Sequence, residues 1–178
     1  FRNLALGKQC IVNADDPWVE KMISGCPVKP MTYGIEKEAD LMAENISFST
    51  RGSSFSVWYK EQRVDFFWPL PGKFNVLNAL CVIGTAIMRG IAFEAIPPLL
   101  AHFPAVNGRL ERVVVDDADE ALLPAVFVDY AHKPEALRNV LQTHVSPRKC
   151  YPDATTRGSK TLRSRNISRV RKHDTQSH

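Results

Sequence analysis

No phosphate-cradling loop of the form G-x-x-x-x-G-K-S/T occurs anywhere in the 178-residue sequence, and its four cysteines form no C-x-x-C pair. The first absence removes the usual cradle for the β- and γ-phosphates of a nucleotide. The second, with no histidine ladder nearby, argues against a zinc site or a disulfide framework. Three of the cysteines stand in apolar surroundings, where the residue behaves as a small hydrophobe. A reducing cytoplasm is the expected compartment. Long hydrophobic runs are missing too. The longest, Ala79–Met88, is about half of what a membrane span needs and is followed by Arg89. No secretory signal opens the chain, so no membrane partner is expected. The first residue is Phe1 rather than methionine, and the sequence reads as part of a longer one.

Charge is present but unevenly spread. Arg148–His178 carries nine Lys/Arg against two Asp, a balance of +7. The net charge of the whole is +4, which leaves −3 for residues 1–147. A basic tail is one mark of nucleic-acid binding. Stacking on bases would need aromatics among the Lys/Arg, and none follows Tyr151. No nucleic-acid partner is expected. Hydrophobic content of 44% and 24% charged residues suit a soluble globular protein with a real core.

Gln9–Asn13 and Val28–Tyr33 read as short buried strands, separated by a helix that Asp16 would cap and Pro17 would open. From Ala39 to Trp68 apolar and polar residues alternate with period two, the pattern of half-exposed antiparallel strands. Gly52-Ser53-Ser54 is the expected turn, and Arg63–Trp68 the third strand. Pro69–Gly72 then breaks the sheet. Phe74–Met88 reads as a long apolar helix, and Phe93–His102 as a second, with Pro97 and Pro98 straining it. Phe103–Asn107 is the expected domain boundary. Strands at Val113–Val115 and Ala125–Val128 flank an acidic loop, and Pro134–His144 reads as an amphipathic helix. The predicted division is therefore 1–107, 108–146 and a basic tail 147–178 whose composition does not support a fold.

Candidate chemistry gathers in three segments. Asn75 and Asn78, three apart at a helix start, share one face, and a carboxamide matches the edge of an adenine ring. Helix capping is the plainer role for Asn75 alone. Arg109 follows Gly108, and its planar fork suits phosphate. Asp129 and His132 stand in a turn at the carboxyl end of a strand, where open α/β sheets bind ligands. Asn13, Asp15 and Asp16 occupy a similar strand end. Capping explains Asp16 and leaves Asp15 without a role.

Taken in order, P-G-x-F-N-x-x-N-A at Pro71–Ala79, G-R-x-E at Gly108–Glu111 and D-Y-A-H-x-P at Asp129–Pro134 resemble the Mur ligases, most closely their tripeptide-synthetase branch. The resemblance runs over about the first four-fifths of the chain. It implies the end of a central ATPase domain, with a parallel sheet plus a small antiparallel sheet, and the start of an α/β C-terminal domain. It implies that Asn78, Arg109, Asp129 and His132 contact ATP, with Asn75 and Lys133 beside them. Lys133 stands where threonine is usual, so it either adds a phosphate contact or points into solvent. For the intact enzyme it implies ATP and Mg2+ as cofactors, and UDP-MurNAc-dipeptide plus an amino acid, diaminopimelate or lysine, as substrates. Catalytic and metal-binding residues are expected outside this sequence. Cyanophycin and folylpolyglutamate synthetases use related motifs and are the alternatives within ligases, although the latter usually reads closer to D-G-A-H-N.

The tail poses a separate expectation. After Leu141 a glycine-rich hydrophobic strand should come next, and the sequence from Lys149 instead has the texture of a shifted reading frame or a foreign junction. Translating the coding nucleotides in the other two frames beyond codon 146 should recover that strand. If neither frame yields one, the tail is genuine.

Overall fold

The computed structural model describes residues 1–103, 106–113 and 126–144. The expected acidic loop at 116–120, Val114, Val115 and Ala125 of the two expected strands, and the tail 147–178 lie outside them. Contacts divide the chain into two units, Phe1–Ser146 and Pro147–His178. Every described strand and helix belongs to the first unit.

Five strands form one mixed sheet in sequence order: β1 (Ile11–Asn13), β2 (Met31–Gly34), β3 (Leu41–Ser49), β4 (Gly52–Tyr59) and β5 (Gln62–Trp68). β1, β2 and β3 run parallel, while β3, β4 and β5 are antiparallel. Helix α1 (Val19–Ile23) connects the first two strands, and α2 (Lys73–Met88) covers the sheet. A 3₁₀ turn (Phe93–Ala95) leads into α3 (Ile96–Ala101), where both prolines sit in the first turn and no backbone donor is missed. A separate two-stranded antiparallel sheet, β6 (Glu111–Val113) with β7 (Val126–Val128), precedes α4 (Pro134–His144).

The core lies between α2 and the inner face of β3–β5. Along α2, Val76, Ala79, Leu80, Ile83 and Gly84 are buried, a spacing of three and four that puts one stripe against the sheet. Burying each of the large members is worth roughly 1.5–3 kcal/mol. Leu41, Val57, Phe55 and Phe66 meet them from the strands. A Cβ on Gly84 would lie 2.2 Å from Ile11 Cδ1 and 2.9 Å from Leu41 Cδ1, so this glycine sets how closely the helix approaches. Because the carboxyl half of α2 rests on the first residues of β1 and β2, its amino end lies toward their carboxyl ends. Lys73, the first helical residue, accordingly pairs with Glu36 just after β2.

Two expectations about turns are corrected. Gly52 opens β4 instead of forming a turn, and Ser53 and Ser54 are strand residues; Ser49 pairs with Gly52 across Thr50-Arg51. The reason is tertiary: the Ser53 hydroxyl is buried and donates to the Leu70 carbonyl at 2.8 Å. A Cβ on Gly52 would meet the Trp68 carbonyl oxygen at 2.2 Å, at a backbone φ of +152°. Asp16 does not cap α1 directly, since Trp18 holds the capping position. Asp16 Oδ1 accepts the Trp18 N–H at 2.8 Å in a local turn ahead of the helix.

Asp15 also acquires a role. Its carboxylate accepts the backbone N–H groups of Ile35 (2.8 Å), Glu36 (3.1 Å) and Lys37 (2.8 Å), which closes the loop after β2 onto the end of β1. Burial alone would raise its pKa, but those three donors, aided by the charge of Lys73, hold it below the ordinary carboxylate value. Asp15 therefore stabilises the fold above the unfolded carboxylate pKa of about 3.9, and that contribution is lost as pH falls through the lower native value. Asp15→Asn replaces one acceptor by a donor facing a backbone N–H. It should cost about 1–3 kcal/mol at neutral pH in chemical denaturation and should flatten the acid limb of the stability curve. An unchanged acid limb would contradict this role.

Candidate functional site

The turn Pro69–Gly72 places the start of α2. Asn75 is buried and its Nδ2 donates to the Pro71 carbonyl at 2.8 Å. The capping position belongs to Gly72, which makes no side-chain bond. Asn75 is therefore a third-position residue reaching back to the turn, not the helix cap that its sequence context favours. Its Oδ1 accepts from Asn78 Nδ2 at 3.3 Å. The carboxamide of Asn78, one turn further and at the surface, keeps its oxygen and one hydrogen for a bound group.

The second wall comes from the segment around Gly108. Gly108 (φ +69°) and Leu110 (φ +46°) both take left-handed backbone on either side of Arg109. That conformation is unfavourable for leucine, and two bonds hold it. The Gly108 N–H donates to Glu111 Oε2 at 2.7 Å, and the Leu110 N–H to Asp129 Oδ2 at 2.9 Å. Asp129 Oδ1 accepts the Ala131 N–H at 2.8 Å. Asp129 thus ties the end of β7 to the G-R-x-E segment, with one lone pair on each oxygen left over. Tyr130 strengthens the junction by donating its N–H to the Gly108 carbonyl at 2.8 Å.

Arg109 projects from this knot. Its guanidinium carbon lies 5.8 Å from the centre of the Tyr130 ring, and it has no ion-pair partner among the described residues. The Tyr130 ring in turn meets His132 edge to face at 4.8 Å. His132 Nδ1 is 3.0 Å from the Tyr130 carbonyl, so Nδ1 carries the hydrogen and Nε2 donates only when the ring is charged. Lys133 is exposed at the head of α4, its carbonyl accepting the Leu137 N–H.

These walls enclose a cleft of about 710 Å³, a size suited to a small organic ligand. Asn75, Asn78, Arg109, Asp129, His132 and Lys133 all line it. Its apolar surface comes from Trp68, Leu70, Phe74 and Val82 on one side, with Phe103 and Val106 beside them. Phe74 apart, the motifs did not indicate those residues, nor Ala136, Asn139 and Val140, which α4 contributes. The spacing of the last three, one helical face directly after D-Y-A-H-x-P, was the available signal. A second cleft of about 740 Å³ lies at the amino ends of β1–β3, lined by Lys8, Lys29, Lys60, Trp58 and others. Size does not separate the two. The first has carboxamide, guanidinium, carboxylate and imidazole converging on an apolar floor, the arrangement a planar polar ligand requires. Among the described residues no group of three or more His, Cys, Asp or Glu side chains could hold a metal ion. Cys10, Cys26 and Cys81 are free thiols, and among the described residues no helix is long and apolar enough to cross a membrane.

Comparison with known proteins gives this arrangement relatives. The Mur ligase middle domain model matches residues 1–86. A UDP-N-acetylmuramoyl-L-alanyl-D-glutamate--2,6-diaminopimelate ligase of Clostridium botulinum is 38% identical over 143 residues, 80% of this chain and 28% of the relative. A solved structure of a ligase of the same name superimposes with a TM-score of 0.62 at 27% identity, covering 76% of this chain and 28% of that one. MurF from Acinetobacter baumannii shares the fold alone, with a TM-score of 0.68 at 20% identity over 80% of this chain and 30% of its own. The chain thus spans under a third of the length of these relatives. Within that span the mixed sheet, its covering helix and the matched sequence agree: the chain belongs to the Mur ligase family.

Proposed function

We propose that this chain carries the nucleoside-contacting part of an ATP-dependent ligase that adds a third residue, diaminopimelate or lysine, to UDP-MurNAc-dipeptide in the cytoplasm. The observation that carries the reading is the cleft between α2 and α4, where Asn78 and Arg109 face an apolar floor. Support for the substrate class comes from the relatives, whose names specify a diaminopimelate ligase. The two separate sheets support a division near residue 107, the five-stranded one before it and the two-stranded one after.

In such an enzyme ATP supplies the activation of a carboxylate for attack by an amine. The residues here perform binding and orientation. The free amide groups of Asn78 suit the polar edge of a purine whose faces rest on Phe74 and its apolar neighbours. The Arg109 guanidinium, held over Tyr130, suits a phosphate oxygen pair or ribose oxygens. Asp129 offers its remaining lone pairs to ribose hydroxyls while fixing the strand end, and His132 or Lys133 reaches the outer oxygens. Apolar walls on both sides exclude water from the base. Mg2+ belongs to the same reading, and none of the described residues is assigned to it.

Arg109→Lys in an enzyme restored to full length should raise the ATP requirement tenfold to hundredfold. Loss of a charge-assisted bond is worth roughly 1.5–3 kcal/mol, and lysine cannot reproduce the fork. Unchanged ATP kinetics would return Arg109 to a purely structural part in the knot. The 178-residue chain alone, which has no phosphate loop, should show no magnesium-dependent ligation in a coupled ADP-release assay, since electrostatic stabilisation of the transferred phosphoryl group has no source within it. Measurable ligation would overturn the proposed division of labour.

A further inference from the structure

Gly72 has a neighbour that its place as the helix cap does not explain. A Cβ built on it would lie 2.6 Å from Thr143 Oγ1 and 2.9 Å from Thr143 Cγ2. Real Cβ atoms do not approach other atoms so closely, so α4 rests on this glycine at a distance that any side chain would forbid. Thr143 stands in the last turn of α4, with its hydroxyl donating back to the Asn139 carbonyl at 2.8 Å. That bond fixes the rotamer and turns the hydroxyl and methyl groups into a defined shape. Thr143 lines a shallow depression beside Phe48, Lys73 and Leu77 and takes no part in lining the nucleoside cleft. Asn139 lines both. One helix therefore carries the cleft wall (Ala136, Asn139, Val140) and, one turn on, the contact that sets its distance from α2.

We propose that Gly72 and Thr143 form a closure seat: the bare backbone at Gly72 receives the end of α4 and thereby fixes the width of the cleft. The pair touches no ligand and acts through the position of α4. The inference rests on the nucleotide reading for its effect on binding, but not for its effect on the helix. Bulk added on either side must push α4 outward. Because α4 spans eleven residues, a displacement at its last turn carries Asn139 and Val140 away from Phe74 and Asn78.

Gly72 has a positive φ of +109° and lies close to Phe74, so Gly72→Ala alone mixes strain with the clash. Three variants of the full 178-residue chain separate them: Thr143→Leu, Gly72→Ala, and Gly72→Ala with Thr143→Ala. Amide hydrogen exchange of α4 without ligand is the first readout, and AMP affinity the second. Thr143→Leu should speed exchange across α4 at least tenfold while exchange in α2 and β3–β5 stays as in the parent. AMP should bind about tenfold more weakly. Gly72→Ala should do the same, and removing the Thr143 Oγ1 and Cγ2 atoms in the double variant should restore most of the protection. Parent-like exchange in Thr143→Leu would overturn the seat, as would a double variant no better protected than Gly72→Ala. If the parent binds no AMP while the exchange results hold, the nucleotide reading fails and the seat stands.

Discussion

The turn from Trp68 to Gly72 is the constraint on which the rest of this structure depends, because a sheet, a helix and a cleft all begin from its carbonyl groups. Ser53, buried in β4, donates its hydroxyl to Leu70. Asn75, buried in α2, donates its amide to Pro71. Gly52 presses its bare α-carbon against the carbonyl of Trp68. Two carbonyl groups of a proline-rich turn therefore accept buried hydrogen bonds from the elements on either side, and the Trp68 carbonyl ahead of them packs against a bare glycine. Such buried polar bonds add little net energy when made and cost much more when broken. They fix register more than they add stability. Once they are in place, Asn78 has one position on the α2 surface and the apolar floor lies beneath it.

Much of this architecture was legible because its signals are local. Alternation over Ala39–Trp68 marks strands whose two faces differ, and three-four spacing over Phe74–Met88 marks a helix with one buried stripe. Pro97 and Pro98, expected to strain a helix begun at Phe93, instead sit in the first turn of α3 after a 3₁₀ turn. What escaped depends on partners distant in sequence. Gly52 looks like a turn residue, yet the turn is Thr50-Arg51 and the glycine is demanded by Trp68, sixteen positions away. Asp15 had no local task, because its three donors lie twenty and more residues downstream. Leu110 in left-handed backbone is invisible to any propensity, since a leucine there is disfavoured and is held by bonds to Asp129 and Glu111.

The cleft shows the same division. Apart from Asn139, its polar members fall inside three short motifs and could be named from them. Its apolar members could not, because Trp68, Phe103 and Val106 look like ordinary core or linker residues until the chain brings them together. Several polar groups also serve two purposes. Asp129 and Asn75 each spend about half of their hydrogen-bonding capacity on the protein itself, while Asn78 keeps its oxygen and one hydrogen and Arg109 has no ion pair among the described residues. A purely structural role accounts for Asp129 and Asn75. It does not account for a guanidinium held over a tyrosine ring with no ion pair among the described residues.

Of the two clefts of similar size, the one between α2 and α4 should receive a nucleoside, and the one at the other end of the sheet should not. The tryptophans report on this directly, since Trp68 lines the first cleft and Trp58 the second, while Trp18 lies in neither. Titrating the isotopically labelled chain with ADP and monitoring the indole N–H resonances therefore distinguishes the sites in one experiment. The expected result is saturable movement of the Trp68 indole together with the Asn78 side-chain amide and Arg109 Nε, and a still Trp58. Movement of Trp58 alone, or no saturable change at any of these groups, would contradict it.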